Sequence, residues 1–132
     1  MTARNTIESS PSPLADRFRT YLPVVIDIET GGFNSATDAV LEISAVILNM
    51  DKDEKLVINQ TFFSRVIPFE GSNIEDSALK FTGIDPYHPL RAARPEKIVF
   101  QNMFKLVRDA MKSNGCKRAI LVGHNSHFDH SF

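Results

Sequence analysis

Two acidic residues at the end of an apolar run are the strongest chemical feature of this sequence. Asp27 and Glu29 close the stretch LPVVIDIET at positions 22–30, whose β-branched residues predict a strand. Because successive side chains of a strand alternate between its faces, both carboxylates are predicted to point to the same side. Residues two apart on one face lie about 7 Å from each other, and carboxylates at that spacing can hold one or two divalent cations.

A strand that simply emerges into solvent can end in the same way. The residues that follow favour a binding site, because Thr30, Gly31 and Gly32 form an exit poor in side chains, which lets a ligand approach the backbone. Phe33 comes next and places an aromatic side chain on a turn beside the two acids.

A second group of polar residues follows a short apolar run near residue 120. Residues 118–122 predict a strand, and Ser126 is placed to begin a helix with Asp129 in its first turn. If that strand runs parallel to the first, Asp129 becomes a third carboxylate at the same edge of the sheet. The alternative is a zinc site, although the spacing is not that of a helical histidine pair. Its ligands would be His124, His127 and His130.

The pattern between these two groups predicts an α/β fold with a mixed sheet. Residues 38–50 predict a central strand, with a helix as the alternative, and residues 56–67 predict a third strand. With the first strand they form an antiparallel three-strand meander. The strand at 118–122 is expected to add a parallel neighbour, because a helical crossover precedes it.

Two helices are expected to flank this sheet. Residues 72–75 have the spacing of a capping box, which predicts a short helix as far as about Phe81. A longer amphipathic helix is expected from Pro95, a suitable first helical residue, to about Gly115. Residues 84–94 contain two prolines and predict a loop.

Length and composition fit one intracellular domain. The chain has 132 residues, 42% of them hydrophobic, and a formal net charge of −1, so nucleic-acid binding would depend on local cationic clusters. A single cysteine, Cys116, excludes an intramolecular disulfide, and no segment resembles a signal peptide or membrane span. We expect a cytoplasmic protein with a disordered tail at 1–14 and one domain at 15–132.

The two acidic motifs resemble those of the DEDD 3′–5′ exonucleases. DIET at 27–30 is similar to the first motif of that family, and HNSHFD at 124–129 is similar to the second. Other stretches resemble the ribonuclease T branch of the family, namely ETGGFN, LEISAV, LKFTGIDP and GCKRAILVGHN. The resemblance implies a ribonuclease H-like exonuclease fold and runs over nearly the whole chain.

The resemblance also implies a two-metal site for phosphodiester hydrolysis. Asp27, Glu29 and Asp129 would be the ligands of two Mg²⁺ ions, with Mn²⁺ as the alternative metal. The family's third motif, a later H-x4-D with the general-base histidine and a fourth acid, is expected beyond Phe132. We therefore expect residues 15–132 to be an incomplete exonuclease domain, truncated at its C-terminus and weakly active or inactive alone. None of the four histidines, His88, His124, His127 and His130, is expected to replace the missing one.

The expected substrate is the single-stranded 3′ end of tRNA, rRNA or another structured RNA, with single-stranded DNA as a second candidate. The resemblance implies base stacking on three aromatic residues, Phe33, Phe81 and Phe128. It implies a homodimer in which a basic patch guides RNA to the partner's active site, formed by Arg17, Arg19, Lys112 and Arg118. Ser77 stands where ribonuclease T has a base-recognising glutamate, which puts base selectivity in question.

Two other functions remain open from the sequence. A proofreading DNA exonuclease or an oligoribonuclease would carry the same motifs. A non-catalytic RNA-binding or dimerisation fragment is the alternative of another class, and it would bind single strands without turnover.

Overall fold

The structure is a computed structural model and describes residues 12–124 and 126–132, without the side chains of 126–128. The described residues form a mixed five-stranded sheet in the order β4-β3-β2-β1-β5. The strands are β1 (Tyr21–Thr30), β2 (Val40–Met50), β3 (Leu56–Ile67), β4 (Arg94–Pro95) and β5 (Arg118–Val122). The helices are α1 (Pro13–Arg17), α2 (Asp76–Thr82), α3 (Glu96–Asn114) and α4 (Ser126–Ser131).

The pairing of the strands confirms the predicted mixed sheet. β1 pairs antiparallel with β2, β2 pairs antiparallel with β3, and β5 lies parallel to β1 on its other side. The helical alternative for residues 38–50 is wrong, because Val40–Met50 is a strand paired on both edges. The two-residue strand β4 was not predicted, since its sequence, Arg94–Pro95, gives no strand signal.

The alternation predicted for β1 is observed. Leu22, Val24, Ile26 and Ile28 are buried, whereas Asp27 is exposed and Glu29 is half-buried. The amphipathic helix α3 is also confirmed, and it contributes Val99, Met103, Val107 and Ala110 to the same hydrophobic core. The acids of β1 therefore lie on the face of the sheet opposite the core.

The short helix α1 was missed, and it corrects the boundary of the predicted tail. Leu14 is fully buried in the core, and the hydroxyl of Ser12 donates to the carbonyl oxygen of Asn114 at 2.9 Å. The same hydroxyl accepts from the amide of Ala15 and caps the helix. The ordered chain thus begins before residue 15, while residues 1–11 of the predicted tail lie outside the described residues.

The short helix α2 forms, but not through the capping box that the sequence predicted. Its N-cap is Glu75, and no side chain caps its first amides. The side chain of Asn73 instead donates to Asp38 across the chain. Gly83 ends the helix in the left-handed conformation, with φ of 70°. In the part of the chain that is described, no helix has the length and apolar character to cross a bilayer.

Candidate active site

Three carboxylates lie where β1 and β5 end. Asp27 and Glu29 are two residues apart on the open face of β1. β5 pairs with the first half of β1, up to the pair Val25 and Val122, and α4 begins four residues later. This parallel arrangement brings Asp129, which is 8% exposed, to the same end of the sheet as the acids of β1.

Electrostatic coupling shows that these carboxylates are neighbours. Burial raises the pKa of Glu29, and the charges of Asp27, Glu42 and Asp129 raise it further. Burial also raises the pKa of Asp129, with a further contribution from the charge of Asp27, while a backbone hydrogen bond from Ile28 opposes the shift. The folded chain therefore concentrates negative charge at this end of β1.

This donor set fits a hard divalent cation. All three groups are carboxylates, which Mg²⁺ and similar ions prefer, and a cation would relieve their mutual repulsion. The Oδ2 atom of Asp129 is buried and has no hydrogen-bond partner among the described residues. As they stand, however, no three His, Cys, Asp or Glu side chains in the described part of the chain converge closely enough to hold a metal.

The histidines proposed for zinc do not gather around these acids in the described structure. His130 lines an apolar cavity between α3 and the strands β1 and β5, beside Val24 and Phe104. His124 lies in the turn that follows β5. The side chain of His127 lies outside the described residues.

A fourth acid and its cationic partner were not recognised from the sequence. Glu42 on β2 lies directly opposite Glu29 in the strand register. Its Oε1 atom is 3.7 Å from the Nε atom of Arg65, which lies opposite Glu42 on β3. Two carboxylates that face each other on neighbouring strands repel, and the positive charge of Arg65 offsets the charge of Glu42. The sequence shows that residues 42 and 65 are charged, but not the strand register that aligns them with Glu29.

An aromatic cavity opens beside Glu29. It has a volume of about 300 Å³, enough for one planar base, and its walls come from the end of β1 and from α2. Phe33 is 83% exposed and Phe81 is 91% exposed, and both line this cavity together with Ser77. The structure therefore brings two of the three predicted stacking residues beside Glu29, while the side chain of Phe128 lies outside the described residues.

The two glycines after β1 let the backbone pack closely against Asp38 and Asn73. A Cβ atom on Gly32 would lie 2.1 Å from the Oδ2 atom of Asp38, so no side chain fits there. A Cβ atom on Gly31 would lie 3.2 Å from the carbonyl oxygen of Asn73. The hydroxyl of Thr30 donates to the carbonyl oxygen of Gly32 at 2.6 Å and tightens the turn. The sequence motif indicated close backbone approach, and the structure shows that the partner is the protein itself.

The predicted basic patch lies at the opposite end of β1. Arg118 pairs with Tyr21 at the first residue of β1, and Arg17 and Arg19 flank that end from the N-terminal side. Lys112 lies in the last turn of α3, which leads into β5. All four side chains are exposed, as is a fifth cation, Lys117, whose position next to Arg118 in the sequence could have revealed it. Asp27 lies six residues after Tyr21 along the strand, a distance of about 20 Å.

Comparisons with known proteins agree on one family. The RNase T exonuclease family model matches residues 24–132. A ribonuclease T from Hahella chejuensis is 59% identical over 121 residues, which is 92% of this chain and 56% of the relative. The chain thus spans little more than half the length of that relative.

Solved structures with the same fold are exonucleases. E. coli exonuclease I in complex with a dT13 oligonucleotide superposes with a TM-score of 0.65 at 18% identity, covering 84% of this chain and 22% of that one. A product-bound structure of exonuclease I gives a TM-score of 0.64 at 18% identity, over 84% of this chain and 24% of that one. At this identity the likeness shows the fold alone, and it confirms the predicted ribonuclease H-like exonuclease architecture.

Proposed function

The chain belongs to the RNase T exonuclease family, and from that premise we propose that it acts in 3′–5′ trimming of tRNA and other structured RNAs in the cytoplasm. The observation that supports this most directly is the aromatic cavity that opens beside Glu29. A stacking pocket next to a cluster of carboxylates suits a terminal nucleotide whose phosphodiester lies at the acids.

The acids are proposed to hold the metal. Asp27, Glu29 and Asp129 would bind two ions of the Mg²⁺ type, with Mn²⁺ as the alternative, and these would supply Lewis-acid stabilisation of the scissile phosphate. The Oδ2 atom of Asp129, which has no hydrogen-bond partner among the described residues, supports this assignment, as do the raised pKa values of Glu29 and Asp129.

The aromatic cavity is proposed to hold the terminal base. Phe33 and Phe81 present ring faces on which any base can stack, which is worth about 1–3 kcal/mol per base. Ser77 contributes one small hydroxyl to the wall, and a hydroxyl distinguishes base edges less strongly than a charged side chain. We therefore expect the terminal base to be bound with weak selectivity.

The basic patch is proposed to serve the active site of a second subunit. Arg118 lies opposite Tyr21, about 20 Å along β1 from Asp27, which is too far to contact the same terminal phosphate. Arg17, Arg19 and Lys112 lie near the same end of the strand. A homodimer would bring the patch of one subunit to the acids of the other. A mixture of an Asp27→Asn chain and a patch-neutralised chain should then hydrolyse a structured RNA better than either chain alone. If the patch instead served the acids of its own chain, mixing should bring no gain.

The proposed activity can be tested with a duplex RNA that carries a short 3′ overhang. With Mg²⁺, a form of the protein as long as the matched ribonuclease T should release 5′-mononucleotides from the overhang and leave a blunt duplex untouched. The 132 residues, which span little more than half that length, should release them weakly or not at all. EDTA and the Asp27→Asn substitution should each stop release, while Asp53→Asn, in the exposed turn between β2 and β3, should not.

Two other results would change the assignment. Binding of the overhang that Phe33→Ala weakens, with no turnover under any metal even in the form as long as the matched ribonuclease T, would indicate a non-catalytic RNA-binding protein. Faster release from single-stranded DNA, or from dinucleotides alone, would indicate a proofreading exonuclease or an oligoribonuclease. Absence of both binding and turnover would contradict the proposal.

A further inference from the structure

A buried carboxylate holds together the two walls of the aromatic cavity. One wall is the Phe33 loop, residues 31–38, which follows β1 and carries Phe33. The other is α2, which carries Ser77 and Phe81 and is entered through a strap of three residues, 73–75. Asp38, only 2% exposed, lies where the loop and the strap meet, and it forms a β-bridge with Asn73 of the strap.

Both oxygen atoms of the Asp38 carboxylate accept hydrogen bonds from the loop or the strap. Its Oδ2 atom accepts from the backbone amide of Asn34 at 2.9 Å, within the loop and next to Phe33. Its Oδ1 atom accepts from the hydroxyl of Thr37 at 3.0 Å and from the side-chain amide of Asn73 at 2.8 Å. Two of the three bonds therefore shape the loop, and the third joins the loop to the strap.

The strap is important because it joins α2 to the Phe33 loop through backbone hydrogen bonds. None of the side chains of α2 is buried, and its first amides have no side-chain cap. Its entry is fixed instead by backbone bonds between strap and loop, including the amide of Glu75 to the carbonyl of Gly31 at 2.7 Å. The position of Phe81 therefore depends on how firmly residues 73–75 are attached to the Phe33 loop.

The packing around Gly32 shows how closely these parts are fitted. A Cβ atom there would lie 2.1 Å from the Oδ2 atom of Asp38 and 3.3 Å from the side chain of Glu75, so the loop backbone touches both. The hydrogen bonds from Asn73 and Asn34 hold the pKa of Asp38 below its usual range, which fits a carboxylate that stays charged inside this junction.

We propose that Asp38 is a positioning residue for the aromatic cavity: by fastening the Phe33 loop to the strap, it sets the separation of Phe33 and Phe81. Among the described residues its side-chain hydrogen bonds go to Asn34, Thr37 and Asn73, and it does not line the cavity. The consequence for RNA rests on the function proposed above, whereas the consequence for the attachment of α2 does not.

Two substitutions distinguish the hydrogen bond between the strap and the loop from a hydrogen bond within the loop. Asn73→Ala removes the hydrogen bond that joins strap to loop, and Thr37→Val removes a bond to the same oxygen atom from within the loop, with little change of shape. Asp51→Ala serves as a remote control, because Asp51 accepts from two amides in the turn between β2 and β3. These variants keep the question answerable even if Asp38→Ala fails to fold.

The first measurement is amide hydrogen exchange in the full chain, which needs no RNA. The amide of Glu75 bonds to Gly31 and not to Asp38, so its exchange reports on the strap itself. We expect Asn73→Ala to speed its exchange about fivefold, as the loss of one hydrogen bond would. Thr37→Val and Asp51→Ala should leave it unchanged. Equal protection of Glu75 in Asn73→Ala and in the unsubstituted protein would overturn the proposal.

The second measurement is the affinity for a 5′-labelled trinucleotide RNA with a non-hydrolysable 3′-terminal linkage, followed by anisotropy in the presence of Mg²⁺. Asn73→Ala should weaken binding about fivefold, and Thr37→Val and Asp51→Ala less than twofold. Equal affinities in Asn73→Ala and Thr37→Val would contradict the positioning role. If the unsubstituted protein does not bind the trinucleotide at all, the proposed function fails, and the exchange of Glu75 alone decides the role of Asp38.

Discussion

The two ends of β1 are built for opposite purposes. At its C-terminal end burial and the charge of Asp27 raise the pKa values of Glu29 and Asp129, and an aromatic cavity opens beside Glu29. At its N-terminal end Tyr21 lies beside Arg118, with Arg17 and Lys112 on the helices that pack there. Negative charge that must be compensated is thus separated from positive charge by one strand, about 20 Å long.

This separation explains how a nearly neutral chain can be a candidate for binding RNA. Its formal net charge of −1 averages over two surfaces of opposite sign. The acidic end suits a cation and a single nucleotide, whereas the cationic end suits the phosphate backbone of a longer RNA. The two ends should therefore respond to different substitutions, and this difference can be tested.

The largest effect is expected at the acidic end. In a form of the protein as long as the matched ribonuclease T, Asp27→Asn should lower hydrolysis of a 3′ overhang by at least about 10³-fold, because a proposed metal ligand is lost. The same substitution should raise the melting temperature in EDTA by about 2–4 °C, since the charge of Asp27 repels both Glu29 and Asp129. Differential scanning fluorimetry with and without Mg²⁺ measures the second effect.

The control for this prediction lies at the other end of the strand. Asp16→Asn, in α1 beside the cationic patch, should change neither hydrolysis nor the shift caused by Mg²⁺. An Asp27→Asn protein that keeps its activity would remove Asp27 from the metal site.

The turn after β1 should be the most sensitive backbone position. Gly32→Ala places a Cβ atom 2.1 Å from the Oδ2 atom of Asp38, so the loop must move, at a cost of about 2–3 kcal/mol in the free energy of unfolding. Trinucleotide affinity should fall with it, because Phe33 follows directly. Urea denaturation and anisotropy measure the two effects.

Gly71→Ala is the matched control for that substitution. Gly71 has φ of 81° with open space around it, so alanine there should cost about 1 kcal/mol through backbone strain alone. Its trinucleotide affinity should stay unchanged. If both variants lose affinity equally, the fit of Gly32 against Asp38 has no special role in the cavity.

The cationic end should affect long substrates only. Replacing Arg17, Arg19, Lys112 and Arg118 by alanine should weaken binding of a structured RNA and flatten its salt dependence, by about 0.7 in the logarithmic slope for each lost phosphate contact. Trinucleotide hydrolysis should not change. A loss of trinucleotide hydrolysis as large as the loss of RNA binding would show that the two ends do not act separately.

The sequence allowed much of this architecture to be predicted, because its elements have strong local signals. The alternation in β1 placed Asp27 and Glu29 on one face, and the amphipathic pattern of residues 96–114 identified α3. The short helix α1 was missed because its five residues follow a polar tail, and its stability comes from the burial of Leu14 in the core.

The parts that could not be predicted depend on contacts between distant residues. Glu42 faces Glu29 only through the register of β1 and β2. Asp38 looked like the first residue of a strand, and its bond to Asn73 spans 35 positions. The capping-box prediction failed for the same reason, since residues 72–75 are held by the Phe33 loop rather than by a local cap.

The smallest effect concerns the pH dependence of stability at the acidic end. Hydrogen bonds from Asn73 and then Asn34 lower the pKa of Asp38, so its ionised form stabilises the fold. That contribution is present above the pKa of the unfolded chain, about 3.9, and is lost as the pH falls through the lower folded value. Asp38→Asn, which sets an amide N–H₂ against hydrogen-bond donors, should therefore melt several degrees below the unsubstituted protein at pH 7.

The difference in melting temperature between Asp38→Asn and the unsubstituted protein should narrow as the pH is lowered towards about 3. The reason is that protonation of Asp38 removes the stabilisation that its charge provides. The raised pKa values of Glu29 and Asp129 act in the opposite direction, but both proteins share them, so they cancel in the difference. Melting curves at several pH values, with Asp53→Asn as the exposed control, measure this. A gap that is constant with pH would mean that the charge of Asp38 does not stabilise the junction between loop and strap.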